Sequence, residues 1–112
     1  MYRPMPALPE IDVDQLDKLR SGDADPIVLD VREPWEWQSG RVPGAVHIPL
    51  GQLVARVGEV PRDRPIAVIC GHGQRSLSAT EFLLRSGYPE VSSVAGGTTA
   101  WAMSGRELER DA

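Results

Sequence analysis

Ile66-Ala67-Val68-Ile69-Cys70-Gly71-His72-Gly73-Gln74-Arg75-Ser76 joins an apolar run, the one cysteine of the chain, a glycine-rich turn and an arginine. The run behind Pro65 reads as a buried strand. Residues 75 to 86 read as a helix, with Gly87 at its C′ position and Pro89 beyond. Strand, tight loop and helix form the repeating unit of a parallel sheet. Ligands of such sheets sit beyond the carboxyl ends of the strands, where Cys70 is placed.

The flanks extend the same alternation. Residues 1 to 10, with three prolines, read as an extended lead-in. Asp12 and Gln15 have the spacing of a capping box before a short helix whose apolar face is Val13, Leu16 and Leu19, ending near Gly22. Ile27-Val28-Leu29 is a second apolar strand and ends at Asp30. Pro34 suits the first turn of a short helix from Glu33 to Ser39, closed by Gly40. Ala45 to Ile48 and Val91 to Val94 read as further strands. Leu50, Leu53, Val54 and Val57 make the clearest helical stripe. Leu77 and Leu84 lie off the face of Ala79, Phe82 and Leu83, so the helix after Cys70 is expected to be buried on more than one side. Gly96-Gly97 breaks the chain before a last helix holding Trp101. The expectation is an α/β fold: a parallel sheet of about five short strands with helices on both faces. One domain spans 11–106, and a charged tail, 107–112, frays from Arg106 onward.

Composition narrows the partners. At 112 residues there is one core, and 41% hydrophobic with 25% charged residues is ordinary for a soluble domain. A net charge of −4 gives no electrostatic reason to bind nucleic acid or an anionic membrane. One cysteine excludes an intramolecular disulfide and a multi-cysteine zinc site, and fits a cytoplasmic setting. Neither a secretory signal nor a membrane span is expected. A monomer or weak homodimer is the expected assembly.

A free thiol has a pKa near ~8.5, so little of it is ionised at pH 7. Lowering it by two units takes about 2.7 kcal/mol. A helix start contributes up to ~2 kcal/mol, and loop amides with a nearby arginine can supply the rest. Gly71 and Gly73 let the backbone turn its amides inward. A purely structural cysteine needs none of Gly71, His72, Gly73, Gln74, Arg75 and Ser76 around it. The spacing from Cys70 to Arg75 is C-x4-R. Cysteine phosphatases use a loop one residue longer to cradle a tetrahedral phosphate. The shorter ring suits one extra sulfur on Cys70.

At these residues the chain resembles the rhodanese family, whose loop C-x-x-G-x-R-S is matched by Cys70, Gly73, Arg75 and Ser76. A second signature is matched by Asp30-Val31-Arg32-Glu33, Glu36-Trp37, Gly40, Gly44-Ala45 and Ile48-Pro49. Arg41-Val42 departs from its usual His-Ile, away from the loop. Gly96-Gly97 with Ala100-Trp101 matches the closing G-G-x-x-A-W. The resemblance covers nearly the whole chain in order. It implies a sulfurtransferase acting through a Cys70 persulfide, with thiosulfate or a similar donor and a thiol, cyanide or protein acceptor. It implies no cofactor and no metal. The alternatives are a non-catalytic binding module that reuses the fold and, less favoured, a phosphatase-like or arsenate-reductase-like enzyme.

Roles for the remaining residues follow. Arg75 is expected to orient the loop or bind an anionic donor. Asp30 and Arg32 are expected to pair and fix the floor of the loop. Glu33 and Glu36 read as helix-start charges. His72 reads as an exposed loop side chain and His47 as a hydrogen-bonded structural one. Trp35, Trp37 and Trp101 read as packing residues, with Trp35 a candidate for the mouth of the site.

Overall fold

The computed structural model describes residues 7–111. Five parallel strands form one sheet in the order β1-β5-β4-β2-β3: β1 (Glu10–Ile11), β2 (Ile27–Asp30), β3 (Val46–His47), β4 (Ile66–Ile69) and β5 (Val91–Val94). The helices are α1 (Val13–Ser21), α2 (Pro34–Ser39), α3 (Leu53–Arg56), α4 (Arg75–Arg85) and α5 (Gly97–Met103). The α/β architecture is therefore the one expected, and the fifth strand comes from the end of the lead-in. Pro9 accepts from the Ser93 amide, and Glu10 pairs with Ser93. Positions 1–6 of the lead-in lie outside the described residues.

Strand alternation divides the core. Ile27, Leu29 and Val31 with Ile66, Val68 and Cys70 face one layer, which also holds Leu53, Ala79 and Leu83. Val28, Ala67, Ile69 and Val94 face the other, with Val13, Leu16 and Trp101. Helices thus cover both faces. The period of two in β4 sends the Cys70 side chain to the α4 side.

Local signals hold at most boundaries. Asp12 and Gln15 close the capping box of α1, and Gly22 caps its end. Gly87, at φ +92, follows α4. Leu77, Phe82 and Leu84 are half-buried, beside fully buried Ala79 and Leu83.

Two expectations change. The stripe from Leu50 to Val57 is not one helix: a 3₁₀ turn at Leu50–Gln52, α3, and a 3₁₀ turn at Val57–Glu59 follow one another. Gly51 and Gly58 weaken helix continuity, and Gln52 and Arg56 relax to ψ −5° and 14°. Leu53 is buried, whereas Val54 is 70% exposed. The tail, expected to fray, is bonded to the fold over its described residues. Arg106 bonds Asp14 and Asp17, Trp101 Nε1 donates to the Glu107 carbonyl, and Arg41 forms an antiparallel bridge with Glu109. Leu108 packs beside Gly40. Among the described residues, no helix is long and apolar enough to cross a membrane.

Candidate active site

Cys70 follows the last residue of β4 and sits in a cradle of backbone amides. The Gly73 amide donates to Sγ over 3.2 Å and the Ser76 amide over 3.3 Å. Ser76 Oγ lies 3.4 Å from Sγ. Gly73 adopts φ +95, which turns its amide toward the sulfur. Burial pushes the Cys70 thiol pKa up, but the Ser76 hydroxyl and the amides of Ser76, Gly73 and His72 outweigh it, leaving the pKa below its ordinary value. The side chain is only 1% exposed. It is walled by core residues on one side and by amides on the other. His72 and Gln74, in the loop, are exposed.

The loop is braced from below by the Gly96-Gly97 turn, which the sequence presents only as a break. The Thr98 amide donates to the Cys70 carbonyl at 2.8 Å and the Thr99 amide to the Gly71 carbonyl at 3.1 Å. These bonds bring the start of α5 against the loop. A Cβ at Gly97 would lie 2.1 Å from the Cys70 oxygen, so only glycine permits that approach.

Of the two roles expected for Arg75, the geometry fits orienting the loop. Its guanidinium makes a two-pronged ion pair with Glu36 of α2, at 2.6 and 2.9 Å, beside Gly71. The Arg75 bond, ahead of an opposing burial effect and the Glu33 amide, holds the Glu36 carboxyl down at about 2. Arg75 therefore ties the loop to α2 and is not a free cation over the sulfur. Glu36 is correspondingly more than a helix-start charge, although its carboxylate also accepts from the Glu33 amide. Their distance along the chain hides the pair from sequence reading.

Asp30 and Arg32 do form a buried pair, at 2.8 Å. Arg32 also donates to the Gly40 carbonyl, so the pair fastens the end of α2 to β2. Among the described residues none of its side-chain bonds reaches the cysteine loop, although Asp30 lies in register with Ile69, the residue before Cys70. His47 Nε2 meets the Arg32 carbonyl at 2.8 Å and its ring stacks on Trp37 at 4.6 Å, a structural histidine as read. Trp101 is buried, but Trp35 is 69% exposed and does not pack as expected.

Sequence reading missed Ser93. It faces the α4 layer with Val91, is fully buried, and its Oγ lies 2.7 Å from Ser76 Oγ. A serine between Val91 and Val94 at a core-facing parity was the available signal.

Comparison with known proteins agrees with this geometry. The family described as "Rhodanese-like domain" matches residues 12–104. A protein named "Sulfurtransferase" from Allochromatium vinosum is 34% identical over 96 residues, covering 86% of this chain and 90% of that protein. The crystal structure of a rhodanese-related protein from Thermoplasma volcanium superposes with a TM-score of 0.84 at 33% identity, covering 92% of this chain and 99% of that one. A thiosulfate sulfurtransferase from Pseudomonas aeruginosa gives a TM-score of 0.82 at 31% identity, over 92% of this chain and 20% of that one.

Proposed function

The chain belongs to the rhodanese-like domain family, and from that membership we propose that it is a rhodanese-type sulfurtransferase carrying the transferred sulfur on Cys70. The observation that carries the reading is the pair of amides aimed at Sγ from Gly73 and Ser76. Such donors favour the thiolate, the form that attacks sulfur.

In the proposed cycle the Cys70 thiolate attacks the outer sulfur of thiosulfate. A new S–S bond forms, the S–S bond of the donor breaks, and sulfite leaves with the electron pair. The enzyme is left as Cys70–S–S⁻. A nucleophilic acceptor then attacks the terminal sulfur. Cyanide becomes thiocyanate, a thiolate becomes a persulfide, and Cys70 returns as thiolate. No cofactor or metal enters the scheme, nucleic acid has no part in it, and the setting inferred from cysteine usage is cytoplasmic. The short loop leaves room for one added sulfur in preference to a phosphate. Cys70 as a whole residue is 1% exposed, and the exposed His72 and Gln74 lie in the loop through which a donor would approach.

That burial is also what a non-catalytic module would display, and one experiment separates the two. Incubation with thiosulfate is expected to add the mass of one sulfur atom to the intact protein. The adduct should vanish with cyanide and never form in Cys70→Ser. An unchanged mass for the wild type overturns the reading in favour of the module.

A further inference from the structure

Behind Ser76 lies a second hydroxyl, that of Ser93, 2.7 Å away and fully buried in β5. Both side chains are shut off from water, so a hydrogen left without an acceptor there carries a penalty. Among the described residues, the only side-chain partner of Ser93 Oγ is Ser76 Oγ. Ser76 Oγ has two partners, Ser93 Oγ and Cys70 Sγ. Thr80 Oγ1, on the same helix as Ser76, is buried without any partner and takes no part.

Counting hydrogens decides which state this chain favours. With Cys70 as a thiol, S–H and two O–H hydrogens compete for two links. If S–H donates to Ser76 and Ser76 to Ser93, the Ser93 hydrogen has no acceptor. If Ser93 donates to Ser76 and Ser76 to sulfur, the S–H hydrogen has none. Once the thiol proton has passed to water, two hydrogens fill two links: Ser93 donates to Ser76, and Ser76 donates to an ionised sulfur. An unmet buried donor carries a penalty, and a bond to a charged acceptor is stronger than a neutral one. We propose that Ser93 is a positioning residue, holding the Ser76 hydroxyl turned toward the Cys70 sulfur so that the thiolate is the favoured form. The inference rests on the reading of Cys70 as the sulfur-carrying nucleophile, and names a residue outside its loop on which that nucleophile depends.

Among the charged groups nearby, Arg75 attracts the Cys70 charge through space but makes no hydrogen bond to the sulfur among the described residues. Arg75 on α4 is held by Glu36 on α2, with Glu33 close to the same pair. Asp30 at the end of β2 is closed off by Arg32. His72 in the loop is exposed. From α5, the Thr98 and Thr99 amides donate to the loop's carbonyl oxygens, and Gly97 lies against the same carbonyls.

The test is a double-mutant cycle read as the pH midpoint of thiolate ultraviolet absorbance, with Cys70→Ser as blank and far-ultraviolet circular dichroism confirming the fold. Ser93→Ala is expected to raise the midpoint by about half to one pH unit, a roughly three- to tenfold loss in the ionisation constant. In a Ser76→Ala background the same change should shift nothing further. Ser93→Thr keeps the hydroxyl and should keep the wild-type midpoint. An unaltered midpoint in Ser93→Ala, an equal shift in the Ser76→Ala background, or a displaced midpoint in folded Ser93→Thr overturns the proposal. If the cycle behaves as expected while thiosulfate adds no mass to the wild type, the hydroxyl chain stands and the sulfur-transfer reading fails.

Discussion

Gly97 sits at φ +58 with the carbonyl of Cys70 directly in the path of any side chain. Gly97→Ala must strain the backbone or push the cysteine loop away from α5. We expect it to cost at least about 2 kcal/mol in urea unfolding. Gly51, where an added Cβ meets nothing within 4 Å, is the matched control and should tolerate alanine within about 0.5 kcal/mol. Residues that act through their own neighbours were legible from sequence. Cys70, Gly73 and Ser76 lie in one short stretch, and the local chemistry of that stretch names them. Ser93 and Glu36 were not legible as partners, because each meets the loop only after distant strands or helices have packed.

At the scale of elements, α2 is joined to the site through the part-exposed Glu36–Arg75 ion pair. Its Glu36 carboxyl drops from an ordinary 4.5 to about 2 because Arg75 bonds it. A folded-state pKa below the unfolded value stabilises the protein above the unfolded value. That contribution fades as pH falls from about 4.5 through 2. The difference in unfolding free energy between wild type and Glu36→Gln should therefore be largest near neutrality and shrink across that acid range. A difference constant with pH would show that the ion pair is not its source. Elements marked by a cap or a glycine, such as α1 and α4, matched their sequence signals closely. The stretch from Leu50 to Val57 did not, because its apolar period is real while Gly51 inside it and Gly58 just beyond it weaken the helical backbone that would express it.

Across the whole molecule, the family match ends at residue 104, yet the chain beyond it ties the two ends of the fold together. Arg106 reaches Asp14 and Asp17 near the start, and Glu109 pairs with Arg41 after α2. Truncation after Gly105 should lower the melting temperature by several degrees, about 4–8 °C for each kcal/mol lost in a domain of this size. Tryptophan fluorescence and circular dichroism should still report one transition, since both core layers share the same sheet. The parallel order of the sheet followed from alternating strands and helices. The tail was misread because charge composition alone carries no record of the partners that its arginines find.

The brace beneath the cysteine loop also fixes when, during synthesis, the protein becomes chemically competent. Thr98 and Thr99 lie well downstream of Cys70 in the chain, and Ser93 only slightly precedes them. A growing polypeptide that has emerged only through Cys70 holds an ordinary, weakly nucleophilic thiol. The amide cradle around that sulfur can take its folded shape only after α5 has been made and has docked, so the setting that favours the thiolate arises late relative to the cysteine itself.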